Sequence, residues 1–334
     1  MSRAGALKPA ELAEAVAGSD RRALAQAITL VESTRPGDRP AADALLEKLL
    51  PRTGKSIRIG ISGAPGVGKS TFIETFGLHV LKEGHRLAVL AVDPSSRIGG
   101  GSILGDKTRM AELAADQRAF IRPSPAGITL GGVARRSREA LLLCEAAGHD
   151  VVLVETVGVG QSETAVADMT DMFLLLLQPG GGDELQGIKR GIVELADLIL
   201  VNKDDGEMRE AAGRTAADYQ HALRLLRPAT VGWQPQVLRC SALTGAGISE
   251  VWKTVEAFRK TVGKKSIAER RARQARAWLK AELADSLMDA LARESDLAKR
   301  LPALEGKVAA GLVTPGAAAR ELLAGFLAAR NQDS

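Results

Sequence analysis

Eight consecutive residues, Gly63, Ala64, Pro65, Gly66, Val67, Gly68, Lys69 and Ser70, keep a GxxxxGK[ST] spacing, and with Thr71 after them they have the chemistry of a phosphate cradle. A polyphosphate carries dense negative charge, which a protein must neutralise without crowding it with side chains. Glycines at 63, 66 and 68 let the backbone curl until its N–H groups face inward. Lys69 adds a point charge for the β and γ oxygens, and the Ser70 hydroxyl is a ligand for Mg2+. The run 56–62 (SIRIGIS) alternates β-branched residues, and 70–82 has helical periodicity. The loop therefore joins a strand to a helix N-terminus, where backbone donors and helix dipole both favour an anion. The pattern points to a nucleotide.

A second motif selects the base. The apolar run Asp197–Val201 delivers Asn202, Lys203, Asp204 and Asp205, an NKxD pattern, roughly 130 residues beyond the phosphate loop. Guanine offers an N1–H and an exocyclic amine side by side, and the Asp205 carboxylate can accept from both. Adenine has an acceptor at N1 and no 2-amine, so it would leave that carboxylate poorly paired. Lys203 has a stem that can lie along the base plane, and Asn202 can tie its loop back to the phosphate loop. Farther on, 238–243 (LRCSAL) resembles the SA[KL] loop of GTPases, which places Ser241, Ala242 and Leu243 at the base, with the Ala242 N–H on the guanine oxygen. GTP is the expected substrate and GDP the product.

Further residues carry the chemistry of hydrolysis. In DVVLVETVGVGQSE (150–163), Glu155 ends a strand where a Walker-B carboxylate should stand, poised for Mg2+ directly or through water. Gly158 occupies the place of the glycine whose N–H meets the γ-phosphate in DxxG loops. Val159 follows it, where small signalling GTPases have a water-orienting Gln, and Gln161 comes two residues later. Slow unaided turnover is expected, with a partner completing the site. The segment 93–109 (DPSSRIGGGSILGDKTR) is Gly-rich and doubly acidic. Asp93 and Asp106 can reach the Mg2+ shell or hold the attacking water, and Lys107 and Arg109 can screen phosphate charge; a plain surface loop is the other reading. A second Gly-rich segment, 178–190 (QPGGGDELQGIKR), suits either a switch, with Lys189 changing partners, or a turn into a helix.

The elements that must position these groups follow from periodicity. Strands are expected at 57–62, 86–92, 118–122, 150–155, 172–178, 197–201 and 236–240, alternating with helical stretches. That alternation predicts an α/β fold with a doubly wound, mostly parallel sheet and motifs in the loops after strands. Helices are expected at 9–17, 20–33 and 41–50 and, in the tail, at 266–293, 295–311 and 315–329. Residues 1–54 thus read as an N-terminal helical extension, 55–262 as the nucleotide domain, and 263–334 as a C-terminal helical region that must pack on the sheet domain or, as a dimerisation region, on a second subunit. Trp278, Leu279, Leu283, Leu287 and Leu291 mark an apolar stripe there.

Composition narrows the classes. Aromatics are 3% of the 334 residues, so the core must be aliphatic. Residues 263–334 hold 13 Lys and Arg against 9 Asp and Glu, leaving 32 against 31 in the rest. The excess lies in 264–276 (KKSIAERRARQAR); with no aromatic interleaved to stack on bases, a solvated helix start or linker is expected there rather than a nucleic-acid arm. Cys144 and Cys240 stand far apart, with no disulfide or CxxC pattern. No apolar run reaches membrane-spanning length, and the N-terminus lacks a signal-peptide core, so a soluble cytoplasmic protein is expected. His79, His85, His149 and His221 are scattered, which argues against a metallochaperone delivering nickel or zinc; a kinase-like transport ATPase is the other alternative.

Taken in order, GxxxxGKS, DPSS with GDKTRM, ETVGVGQSE, QPGGGDELQGIKRG and NKxD resemble the MeaB/ArgK/MMAA family of P-loop GTPases over nearly the whole chain. The resemblance implies a GTP-dependent chaperone of adenosylcobalamin-dependent methylmalonyl-CoA mutase, gating cofactor loading and protecting the mutase from inactivation. It also implies a homodimer joined through the helical tail. Lys69, Ser70, Asp93, Asp106 and Glu155 would then form the phosphate–Mg2+ site, with the two Gly-rich loops as switches.

Overall fold

The computed structural model describes residues 8–92, 110–123, 130–156, 162–180, 190–293 and 295–332. The described strands are β1 (Ile57–Gly63), β2 (Leu87–Val92), β3 (Ala119–Arg122), β4 (Val151–Thr156), β5 (Met172–Leu177), β6 (Leu198–Val201) and β7 (Gln236–Arg239). They form one sheet in the order β3-β2-β4-β1-β5-β6-β7, and every described pairing is parallel. Parallel strands are covered on both faces, which is why β2, β5 and β6 are unbroken apolar runs rather than alternating ones. Progress along the chain moves one way from β1 to β2 and β3, and the other way through β5, β6 and β7. Such a reversal opens a crevice outside the carboxyl end of the strand where it occurs. That end is Gly63.

Three helices precede the sheet: α1 (Pro9–Ala17), α2 (Arg21–Val31) and α3 (Arg39–Leu49). The Asp20 carboxylate caps α2, accepting from the Arg22 and Ala23 N–H groups at 2.8 Å each. Its buried face, Leu24, Ala27, Ile28 and Val31, has helical spacing. Covering the sheet are α4 (Lys69–Lys82), α5 (Ala111–Ala115), α6 (Leu130–Ala146), α7 (Ser162–Ala167), α8 (Arg190–Leu195) and α9 (Arg209–Arg224). The core is aliphatic, with a few rings at its centre: Phe72 stacks on Phe76 at 5.3 Å, and Trp233 meets Phe258 edge-on at 5.2 Å.

A helical stretch, α10 (Ile248–Arg293), is followed by α11 (Ser295–Ala309) and α12 (Pro315–Gln332). Gly263 interrupts α10 with φ 76° and ψ 158°, a non-helical conformation that glycine adopts without a Cβ penalty. The chain divides into two compact units, Met1–Gln274 and Ala275–Ser334. In the second, α11 packs on α12, burying Leu304, Ala318 and Phe326, and Arg300 pairs with Glu321 at 2.9 Å. Leu279, Leu283 and Leu287 are 70%, 58% and 49% exposed in the single chain. No helix among the described residues is long and apolar enough to cross a membrane.

In the basic stretch 264–276, Lys264, Lys265, Arg273 and Arg276 are exposed on a helix, as a solvated helix start requires, but Arg270 and Arg271 are turned into the first unit. Arg271 donates from Nε to Asp171 Oδ1 at 2.8 Å and from its terminal nitrogens to Gly54 O at 2.9 Å and Ser56 O at 2.7 Å. The Asp171 carboxylate, fully buried, also accepts from the Arg58 N–H at 2.9 Å. Arg58 in turn forks onto Glu145 with two bonds of 2.9 Å. Arg270 bonds Thr230 and the Asp171 carbonyl, and Gln274 donates to Thr170 O at 2.9 Å. These groups sit at the lead-ins to β1 and β5, the sheet edge opposite Gly63. A buried carboxylate needs such partners, because leaving it unpaired costs several kcal/mol.

Candidate functional site

The phosphate loop is complete and described from Gly63 to Thr71. Gly63 ends β1 so close to β5 that a Cβ there would stand 2.6 Å from Leu176 O. Gly68 has φ 93°, and a Cβ on it would meet Asn202 Nδ2 at 2.8 Å. Helix α4 begins at Lys69, so the N–H groups of its first turn have no intrahelical acceptor and point out of the helix end. The Lys69 ammonium is folded across the loop, donating to Gly63 O at 2.7 Å. Burial pulls its pKa down, against the opposing pull of Glu155 and Glu163.

The base-side residues are joined to this loop by hydrogen bonds. Asn202, at the end of β6 and buried, donates from Nδ2 to Val67 O at 2.9 Å. Its Oδ1 accepts from the Ala242 N–H at 3.0 Å. Lys203 donates to Gly66 O at 2.8 Å and adopts φ 62°, an uncommon value for a residue with a Cβ. Asp205 accepts a short hydrogen bond from the Ser241 hydroxyl, which itself receives the Thr244 N–H at 3.1 Å. The tie from Asn202 to the phosphate loop is the one expected from the sequence. The Ala242 N–H, expected on a guanine oxygen, is directed at Asn202 instead.

Glu155 is buried at the end of β4, in register with Ile61 of β1 and Ala91 of β2. Thr156 beside it donates to the Ser62 hydroxyl at 3.0 Å. Asp93, Asp106, Gly158, Gln161 and Lys189 lie outside the described residues. Asp93 directly follows Val92 in the chain and Gly158 comes two residues after Thr156, and Val92 and Thr156 pair in register. Sequence reasoning missed Glu163, whose charge reaches Lys69, and the bond from Lys203 to Gly66 O. It also missed Thr75, whose hydroxyl donates to Ala242 O at 2.7 Å. Glu163 stood in plain view in ETVGVGQSE; the other two become visible only when distant segments meet.

Known proteins resemble this chain in sequence and fold. Residues 24–296 match the family model described as methylmalonyl Co-A mutase-associated GTPase MeaB. The chain is 56% identical over 312 residues to a "Putative GTPase" of Caulobacter vibrioides, covering 93% of this chain and 95% of that one. It is 49% identical to the mitochondrial "Methylmalonic aciduria type A homolog" of Mus musculus, covering 92% of this chain and 76% of the mouse protein. The "GTPase ArgK" of Escherichia coli is 49% identical over 83% of this chain and 84% of its own. A crystal structure described as "LAO/AO transport system kinase" superposes with a TM-score of 0.77 at 38% identity, covering 98% of this chain and 100% of that one. The chain belongs to the MeaB family of P-loop GTPases.

Proposed function

We propose that this protein binds and hydrolyses GTP in the cytoplasm as a chaperone of adenosylcobalamin-dependent methylmalonyl-CoA mutase, gating cofactor loading and protecting the mutase. The single observation that carries the nucleotide reading is the Asn202 bridge, one side chain bonded to the phosphate loop at Val67 and to the base loop at Ala242. In this reading the backbone of Gly63–Thr71 cradles the phosphates and Lys69 leaves Gly63 O for the β/γ oxygens. Asp205 accepts from the two guanine edge donors, and Ser241, Ala242 and Leu243 line the base. The Ser70 hydroxyl and the Glu155 carboxylate are hard oxygen donors of the kind Mg2+ takes, and Asp93 and Asp106 would complete the set. Bound there, Mg2+ would neutralise charge gathering on the phosphate oxygens.

Gly158 and Gln161 are assigned to the γ-phosphate and the attacking water. With Val159 between them, unaided turnover is slow and the mutase completes the site. The exposed stripe Leu279, Leu283 and Leu287 supports a homodimer formed through the tail, since bare apolar patches are costly in water. The mutase assignment is supported by the family description and by the name of the mouse relative. A pull-down with purified methylmalonyl-CoA mutase tests it: complex formation should differ between GDP and a non-hydrolysable GTP analogue. Equal or absent capture in both states counts against it. The description of the solved relative favours one other reading, a kinase. Tighter binding of ADP than of GDP would favour that reading instead.

A further inference from the structure

Thr75 sits in α4, five residues beyond Ser70 and about 7.5 Å along the helix from it. A threonine inside a helix ordinarily turns its hydroxyl back onto the carbonyl four residues earlier. This one donates instead to Ala242 O at 2.7 Å, across a sequence separation of 167 residues. Two peptides flank Ala242. The first, carrying the Ala242 N–H, is held at 3.0 Å by Asn202 Oδ1. The second, carrying Ala242 O, is held by Thr75. Peptide groups are planar and trans, so the N–H of this second peptide, which belongs to Leu243, points opposite to its oxygen and away from Thr75. Among the described residues the Leu243 N–H meets no protein acceptor, and the Leu243 side chain is 81% exposed. The loop is otherwise closed on itself, with the Gly245 N–H on Ser241 O at 2.9 Å and the Ser241 N–H on Ala246 O at 2.9 Å. One donor in a loop tied to Asp205 through Ser241 is thus left without a protein acceptor among the described residues, and the oxygen of its peptide is held by a residue of the phosphate-binding helix.

We propose that Thr75 is a positioning residue for base recognition: by holding Ala242 O it orients the Leu243 N–H toward the 6-oxygen of guanine. This rests on the guanine reading above and adds to it a specific donor and a residue that aims it. It also links the two ends of the nucleotide, because the helix that begins with Lys69 and Ser70 sets the plane of the base-reading peptide.

The test uses the full chain and three ligands. GDP carries both the 6-oxygen and the 2-amine; inosine diphosphate keeps only the 6-oxygen; 2-aminopurine riboside diphosphate keeps only the 2-amine. Thr75→Val preserves shape and removes the donor, and Thr75→Ser restores a hydroxyl. With Thr75→Val, affinity for GDP and inosine diphosphate should fall about three- to tenfold each, the worth of one hydrogen bond. Affinity for the 2-aminopurine ligand should stay within about twofold, and Thr75→Ser should match the parent. Unchanged GDP binding in Thr75→Val overturns the assignment, and so does an equal loss for all three ligands, which would mark Thr75 as general packing. A parent chain that binds ADP as tightly as GDP would instead overturn the guanine reading, and this inference with it.

Discussion

Replacing Asn202 by alanine should damage both the fold of the first unit and its affinity for GDP. The side chain is 2% exposed and donates to Val67 O at 2.9 Å while accepting from the Ala242 N–H at 3.0 Å and, more weakly, from the Cys240 thiol at 3.9 Å. Both backbone partners belong to buried residues, with Val67 at 0% and Ala242 at 4% exposure. Alanine leaves one carbonyl and one N–H buried without partners, at about 1–3 kcal/mol each. Some relaxation and water entry will recover part of this, so a loss of about 2–4 kcal/mol in ligand-free stability is expected. Nucleotide binding suffers separately, because the phosphate and base loops are no longer fixed to one another. Saturation with GDP at a hundred times its dissociation constant stabilises the parent by about 2.7 kcal/mol. At that same concentration the variant should gain less than half as much. Denaturant unfolding of the full chain, with and without GDP, measures both quantities. Parent-like stability together with a parent-like GDP shift would refute the idea that Asn202 bridges the two loops.

Other substitutions probe the rest of the site and its supports. Asp205→Asn replaces an acceptor by a donor at the guanine edge and should weaken GDP about ten- to a hundredfold, read by equilibrium titration; a variant that still binds GDP tightly and rejects ADP contradicts the base assignment. Arg271→Ala removes the ionic partner of the Asp171 carboxylate, whose side chain is fully buried and keeps the Arg58 N–H, and should cost about 3–5 kcal/mol in denaturant unfolding; a loss under about 1 kcal/mol would show that the pair carries little. Burial lowers the His149 pKa to about 4. Between that value and the ordinary value near 6.5, the unfolded chain binds a proton that the native chain does not. The contribution is therefore complete above about pH 6.5 and is lost as pH falls toward 4, up to about 3 kcal/mol. Replacing His149 by Gln should flatten stability across that window, and an unaltered pH profile would contradict the assignment.

The sheet was legible because its strands are apolar and bounded by turn residues: Met172–Leu177 and Leu198–Val201 are unbroken hydrophobic runs, and the observed ends fall within about a residue of those expected. The phosphate loop and NKxD were legible because their residue types are chemically constrained. What sequence could not show was pairing across distance. Arg270 and Arg271 read as solvated charge because Asp171 and Asp197 sit in strand lead-ins, where acidic residues are common turn formers. Their burial is a consequence of α10 crossing that edge. Likewise LRCSAL pointed to the Ala242 N–H as the free donor of its loop, whereas that N–H is directed at Asn202 Oδ1. The bonds from Asn202 and Thr75 to the two peptides flanking Ala242 come from segments distant in sequence.

The most direct test is the steady-state GTP turnover of the full chain, alone and with saturating methylmalonyl-CoA mutase. Alone, turnover should be on the order of once in minutes, the pace of a GTPase whose water-orienting group is incomplete. Added mutase should raise it at least about tenfold, as a partner-completed site requires. A rate that mutase leaves unchanged, or one already on the order of 10 per second without it, would contradict a switch that works through this partner.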